Sequence, residues 1–161
     1  MTSADDSLPF DMPAALRVGH AALQAGDWVA AADAFDLTQE GYPLRWKYRP
    51  EVNPTAVGVA CCDAINRGAV YADGKIVYNL LDGHTVAVDA NTGREVWKTQ
   101  IADMGQGETT PMAPFIARDR VLVGPSGGEF GIYGWVKALD LATGKILWTA
   151  HNMGPDSLMI V

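Results

Sequence analysis

Two stretches of the sequence match each other over eleven positions without a gap, and this repeat constrains the fold more than any other feature. Ala87–Trp97 reads Ala-Val-Asp-Ala-Asn-Thr-Gly-Arg-Glu-Val-Trp, and Ala138–Trp148 reads Ala-Leu-Asp-Leu-Ala-Thr-Gly-Lys-Ile-Leu-Trp. The two tryptophans are 51 residues apart, and Trp46 lies another 51 residues upstream, with Gly41 five residues before it rather than four. A fixed period of this length indicates a repeat architecture.

Each copy of the repeat predicts a β-hairpin. The alternating residues of Thr85–Asp89 predict a strand, and Asp-x-x-Thr-Gly predicts a tight turn in which Asp binds backbone N–H groups and Gly takes a positive φ. The Trp then offers a large apolar surface to a neighbouring sheet. Two units of four strands are predicted, over 69–71, 75–79, 85–89 and 95–99 and over 113–117, 120–123, 135–139 and 146–149.

Four short strands in each unit of about 50 residues are typical of β-propeller blades. The predicted fold class is therefore mainly β, with about two four-stranded blades over residues 44–161. Two hairpins of some other all-β protein are the alternative. Propellers contain about four to eight blades, so two blades leave open edges that favour self-association.

The first 43 residues differ in charge and pattern. They hold seven acidic residues and one basic residue, Arg17, whereas residues 44–161 hold twelve acidic and eleven basic residues. Apolar positions over residues 12–43 predict a helical hairpin broken at Gly26-Asp27. This segment weakly resembles one tetratricopeptide repeat, and a generic alanine-rich hairpin explains it equally well. We therefore divide the chain into an acidic N-terminal segment, 1–43, and a partial propeller, 44–161.

Composition excludes two classes of partner. The net charge of −7 leaves no basic face for nucleic acid. No apolar run approaches 18 residues, so no membrane span is expected. The N-terminus, as given, shows neither the basic nor the apolar region of a secretory signal.

The only two cysteines are adjacent, at Cys61 and Cys62. Neighbouring Cα atoms lie about 3.8 Å apart, below the usual range for a disulfide, so a vicinal disulfide is strained. From the spacing alone, two reduced and buried thiols are the expected state.

From about residue 44 onward the chain resembles the pyrroloquinoline-quinone (PQQ) alcohol dehydrogenases of the methanol and ethanol dehydrogenase type. The resemblance covers about 118 residues, which is about a fifth of a full family member, an eight-bladed propeller. The segments that carry it are Trp46–Glu51, Val59–Gly68, Leu81–Asp89, Gly124–Gly131 and Gly154–Asp156.

The resemblance assigns roles to residues. It implies a Cys61–Cys62 disulfide, formed in an oxidising compartment, against which the quinone lies flat. Arg67 matches the arginine that binds the quinone oxygens and carboxylate, a role suited to a planar and always-charged fork. The remaining expected cofactor contacts are Ser126, Gly127 and Gly128. Thr110 is a looser expectation, because Pro111 occupies the position where the family has threonine. The expected metal ligand is Glu129.

The resemblance also implies a reaction. The full enzyme passes two electrons from a primary alcohol such as methanol or ethanol to PQQ, with Ca²⁺ or a lanthanide as cofactor, and then to cytochrome c in the periplasm. The catalytic aspartate, the upstream glutamate and the other metal ligands match no residue here. We therefore predict no catalytic residue and no turnover by the isolated chain. The alternatives are a non-catalytic interaction module and a truncated or chimeric product.

Overall fold

A computed structural model of the chain describes residues 32–36, 38–60 and 65–152. The strands follow the predicted hairpins closely, and short helices occur only in the connections between them. No helix in these ranges is long and apolar enough to cross a membrane. The strands are β1 Ala32–Phe35, β2 Leu44–Tyr48, β3 Ala69–Ala72, β4 Lys75–Leu80, β5 His84–Asp89, β6 Glu95–Gln100, β7 Phe115–Ala117, β8 Arg120–Val123, β9 Trp135–Asp140 and β10 Ile146–His151; the helices are α1 Ala56–Val59 and the 3₁₀ segments Met104–Gln106 and Gly128–Phe130.

Strands β3–β6 and β7–β10 form two separate antiparallel sheets in which each strand pairs with the next one along the chain. The same up-and-down order in both sheets confirms the predicted pair of four-stranded units. The first strands of the two sheets, β3 and β7, lie beside each other. This is the arrangement of neighbouring blades in a β-propeller.

Strands β1 and β2 form a third hairpin upstream of the two sheets, with Ala34 opposite Trp46. The prediction of a helix reaching Phe35 is therefore wrong for Ala32–Phe35. Alanine favours a helix locally, but pairing with β2 and burial of Ala34 outweigh that weak preference. Residues 36 and 38–43, which the prediction also included, form a turn and not a helix. The part of the predicted helical hairpin before residue 32, where most of the resemblance to a tetratricopeptide repeat falls, lies outside the described residues.

This hairpin is a longer version of the repeat. Asp36 accepts hydrogen bonds from the backbone N (3.0 Å) and hydroxyl (2.6 Å) of Thr38, much as the repeat aspartates do. Ten positions separate Asp36 from Trp46, against eight between Asp89 and Trp97. The two additional residues account for the imperfect match seen in the sequence.

The turns of the two exact repeats are closed by the same hydrogen bonds. Asp89 accepts from the backbone N and the hydroxyl of Thr92, both at 2.8 Å, and Asp140 accepts from Thr143 at 2.9 and 2.8 Å. These threonine hydrogen bonds hold the pKa of both carboxyl groups below the ordinary value, because they stabilise the charged form.

Two of the repeat tryptophans, Trp46 and Trp97, join their own hairpin to the turn of the next repeat. The indole Nε1 of Trp46 donates to the Ala90 carbonyl at 3.0 Å, and that of Trp97 donates to the Leu141 carbonyl at 3.1 Å. The rings lie over the turn glycines: a Cβ on Gly93 would stand 2.6 Å from Trp46, and one on Gly144 would stand 2.5 Å from Trp97. Glycine is thus required both for its positive φ and for this close approach.

Two apolar clusters follow from this stacking. One lies between the first hairpin and the first sheet, around Trp46, Ile76 and Val88. The other lies between the two sheets, around Trp97, Val121 and Leu139. Burial between adjacent sheets, rather than within one sheet, therefore supplies the main apolar contacts of this structure.

We predict that Trp97→Ala lowers the free energy of unfolding by about 3–5 kcal/mol, the usual cost of removing a large buried aromatic side chain. Trp148→Ala is the matched control, because Trp148 holds the same repeat position but is 46% exposed, whereas Trp97 is 7% exposed. Urea denaturation of dilute protein measures both. Equal losses for the two variants would contradict the docking role of Trp97.

Candidate cofactor-binding site

Residues 109–111, in the connection between the two sheets, bring together three of the predicted cofactor-binding segments. The backbone N of Arg67 donates to the Pro111 carbonyl at 2.9 Å. Thr109 and Ser126 pair as an antiparallel bridge, with N–H···O distances of 3.0 and 2.7 Å. The predicted Arg67, Thr110 and Ser126 therefore lie on segments that are bonded to one another, although they are up to 59 residues apart in sequence.

Thr110 itself is fully buried, and its hydroxyl donates to the Leu80 carbonyl at 2.6 Å. Because a hydroxyl has one hydrogen, this bond leaves Thr110 only acceptor capacity for any ligand. Pro111, which stands where the resemblance leads one to expect threonine, is also buried. Its carbonyl fixes the backbone of Arg67, while the Arg67 side chain remains exposed.

The glycine-rich loop after Ser126 has one position that only glycine fits. Gly127 is buried at φ +131°, and a Cβ there would stand 2.3 Å from the carbonyl oxygen of Gly107. Gly128 has open space where its Cβ would be and begins the 3₁₀ segment that carries Glu129. The loop therefore presents open backbone at Gly128 and an exposed carboxylate at Glu129.

Glu129, the predicted metal ligand, belongs to no metal-binding cluster in the described part of the chain. No group of three or more His, Cys, Asp or Glu side chains suited to a metal ion occurs there. Calcium takes six to eight oxygen ligands, so Glu129 alone does not hold such an ion.

A buried amide network, which the sequence analysis missed, links β4 to the backbone segments on either side of the Arg67–Pro111 hydrogen bond. Asn79, in β4, donates through Nδ2 to the Met112 carbonyl at 2.8 Å and accepts at Oδ1 from the hydroxyl of Thr85 at 2.8 Å. Asn66 donates to the Asn79 carbonyl and accepts from the backbone N of Gly68, each at 2.8 Å. The signal in the sequence was an amide within the apolar run of β4, because such a group requires partners when buried.

A buried carboxylate fixes the segment that leads to the cysteine pair. Asp82 accepts from the backbone N of Asn53 at 3.1 Å and contacts Nδ1 of His84 at 3.0 Å. Asn53 in turn accepts from the backbone N and hydroxyl of Thr55, the residue before α1. Burial raises the pKa of Asp82, but the hydrogen bonds from His84 and Asn53 outweigh it, so this pKa lies below its ordinary value. Cys61 and Cys62 themselves lie outside the described residues.

An aromatic and charged cluster braces the loop that contacts Gly127. Glu108 accepts from the indole Nε1 of Trp135 at 2.8 Å and from the backbone N of Asp103 at 2.8 Å. The ammonium of Lys137 lies 4.0 Å from the centre of the Trp135 ring. Burial lowers the pKa of Lys137, and the nearby Glu108 charge partly opposes that shift.

A family profile and several known proteins match this chain. The profile of the PQQ_2 family, described as outer membrane protein assembly factor BamB, matches residues 34–160. A lanthanide-dependent methanol dehydrogenase of Methylacidiphilum fumariolicum (strain SolV) is 52% identical over 128 residues, which cover 80% of this chain and 21% of that protein. Subunit 1 of methanol dehydrogenase [cytochrome c] from Methylobacterium organophilum is 42% identical over 134 residues, with the same coverage of 80% and 21%.

A solved structure agrees with these relatives. A europium-containing methanol dehydrogenase superposes with a TM-score of 0.79 at 50% identity, over 81% of this chain and 23% of that one. The chain therefore spans about a fifth of the length of the curated relatives that it matches. The match includes both four-stranded units and the β1–β2 hairpin from residue 34 onward.

We predict that Asn79→Ala lowers the free energy of unfolding by about 2–4 kcal/mol, since buried groups left without a partner cost about 1–3 kcal/mol each. Amide hydrogen exchange at Arg67 should accelerate, because the Met112 carbonyl loses its Asn79 donor and the adjacent Pro111 carbonyl, which accepts from the Arg67 N–H, is then held less firmly. Asn91→Ala, at an exposed turn position, is the control. Unchanged exchange at Arg67 in Asn79→Ala would show that the network does not hold that segment.

We predict an acid-sensitive contribution from Asp82. Because its folded pKa lies below the ordinary value of 3.8, its stabilisation is complete above that pH and is lost as the pH falls through the folded value. Asp82→Asn should therefore show a flatter fall in unfolding free energy below pH 3.8 than the wild type. Parallel curves for the two proteins, measured by urea denaturation from pH 2 to 6, would refute this role.

Proposed function

Because the chain belongs to the PQQ-dependent methanol and alcohol dehydrogenase family, we propose that it supplies part of a PQQ site for oxidation of a primary alcohol. The proposed cofactor contacts are the Cys61–Cys62 pair, Arg67, Thr110 and the loop Ser126–Gly128. Glu129 is the proposed metal ligand. Methanol and ethanol are the proposed substrates of the complete site.

The observation that carries this proposal is the convergence of the predicted segments on residues 109–111. Arg67 is tied there through Pro111, and Ser126 through Thr109. The Arg67 side chain is exposed, while its backbone N–H is bonded to the Pro111 carbonyl. A guanidinium on a fixed backbone suits a flat, anionic cofactor, because it donates paired hydrogen bonds to carboxylate and quinone oxygens.

The described residues fit one part of the cofactor's surroundings. Gly128 leaves open backbone beside the exposed Glu129, and Thr110 can accept but not donate a hydrogen bond. When bound, the quinone supplies a two-electron acceptor and a Ca²⁺ or lanthanide ion supplies Lewis acidity, which side chains do not provide. In this proposal Arg67 orients the quinone, and Glu129 adds negative charge at the metal position. The glycines allow the cofactor to approach the backbone closely.

Turnover belongs, in this proposal, to a more complete assembly. Glu129 is a single proposed ligand, and the described residues contain no group of three or more His, Cys, Asp or Glu side chains suited to a metal ion, whereas calcium takes six to eight oxygens. We therefore propose that the isolated chain binds the cofactor weakly and does not oxidise alcohol. A cytochrome c acceptor and a periplasmic location are proposed for the complete protein, the former in line with the name of the methanol dehydrogenase [cytochrome c] relative.

A non-catalytic interaction or structural module is the second candidate. The observation that favours it is the outer face of the second sheet, where Trp148 is 46% exposed although both equivalent tryptophans are buried. In that case the residues that match cofactor contacts are inherited from a PQQ-binding ancestor and now contribute only to the fold.

We predict weak but saturable binding of PQQ by the oxidised chain, followed by the quinone absorbance with and without Ca²⁺ or a lanthanide. Arg67→Ala should weaken binding at least tenfold, about 1.4 kcal/mol, because a charge-assisted contact is lost. Arg94→Ala, which removes an exposed arginine from a turn, should bind as the wild type does.

The same titration separates the candidates. Equal binding by wild type and Arg67→Ala, or none at high micromolar PQQ, would reject the cofactor site and favour the structural module. A reduced and alkylated sample tests the proposed disulfide, since its binding should be weaker if the Cys61–Cys62 ring contacts the quinone.

A further inference from the structure

The contact between a repeat tryptophan and the next turn forms twice among the described residues, and a third tryptophan, Trp148, has no such turn against it. Trp46 and Trp97 are each buried against the next turn, over Gly93 and Gly144. Trp148, at the same position of the repeat, is 46% exposed. The donor half of a third contact is therefore unpartnered among the described residues.

The acceptor half of the same contact is also open, at the other end of the structure. Asp36 and the described residues 38–41, called here the Asp36–Gly41 turn, correspond to the repeat turns, with Asp36 bonded to Thr38 and Gly41 at φ +80°. No described atom lies within 4 Å of the place where a Cβ on Gly41 would be, whereas tryptophan rings occupy that place over Gly93 and Gly144. Gly41 is exposed.

We propose that two copies of this chain associate head to tail, with Trp148 of one copy packed on the Asp36–Gly41 turn of the next. Among the described residues, one chain carries both unpartnered halves of a contact that it already makes twice internally, so the new interface continues an existing one. The proposal is independent of cofactor binding.

The contact joins different surfaces of the two copies, so it does not end with a pair by symmetry. Each copy has one donor face and one acceptor turn, so higher species should follow the dimer as the concentration rises. The longer Asp36–Gly41 turn differs from the internal turns, which makes this contact weaker than the internal ones.

Sedimentation velocity of the 161-residue chain over a micromolar concentration series tests the donor face. The average mass should rise with concentration, and Trp148→Ala should raise the dissociation constant at least tenfold. Leu147→Ala is the matched control: Leu147 is 42% exposed, and its repeat equivalent Val96 stays 45% exposed beside the docked Trp97. A monomer at every concentration, or association of Trp148→Ala equal to that of the wild type, would overturn the proposal.

Mixing variants tests the acceptor turn. Gly41→Ala should block it, because a Cβ at the equivalent glycines would stand 2.5–2.6 Å from the indole ring. Each variant alone should stay monomeric, while Trp148→Ala mixed with Gly41→Ala should give a 1:1 dimer and nothing larger. The reason is that Gly41→Ala keeps an intact Trp148 and Trp148→Ala keeps an intact Asp36–Gly41 turn, so only one contact can form. If circular dichroism shows that Gly41→Ala is unfolded, Gly41→Asn replaces it, because Asn tolerates a positive φ. A mixture that remains monomeric would reject this pairing.

Discussion

The contact between a tryptophan and the next repeat's turn is the interaction on which the rest of this structure depends. The indoles of Trp46 and Trp97 fill the space over a glycine and donate to a carbonyl 44 residues further on, that of Ala90 and Leu141 respectively. The turn receives the ring only because its aspartate and threonine hold it closed and its glycine lacks a Cβ. A hairpin signature eleven residues long thereby fixes how neighbouring sheets stack.

The stacking also determines where a binding site can form. Arg67 precedes β3, residues 109–111 precede β7, and Ser126–Glu129 follow β8, so all three lie in connections rather than in strands. Such connections are free to carry polar groups because the sheets supply the apolar core. Side-chain hydrogen bonds of Asn79 and Asp82 link the connections before β7 and β3 back to the first sheet.

Much of this arrangement was readable from the sequence, since local patterns dictate it. All eight strands of the two sheets and both exact turns follow from alternation and from Asp-x-x-Thr-Gly. Strand β1 was missed because alanine-rich Ala32–Phe35 has no strand signal of its own and depends on pairing with β2. The Asn66–Asn79 network was missed because its links from Asn79 to Asn66 and to Met112 join residues 13 and 33 positions apart, which only sheet formation brings together.

The 44-residue reach of the indole hydrogen bond has a consequence for how such a chain can grow. Every inter-sheet contact described here joins one repeat to its immediate successor, so stability accumulates from neighbour to neighbour, as in other modular arrays. A genetic duplication or deletion of one whole 51-residue period would preserve each indole's distance to its carbonyl, whereas a fractional one would break it. Evolution can therefore lengthen or shorten the array in whole periods without redesigning a single interface.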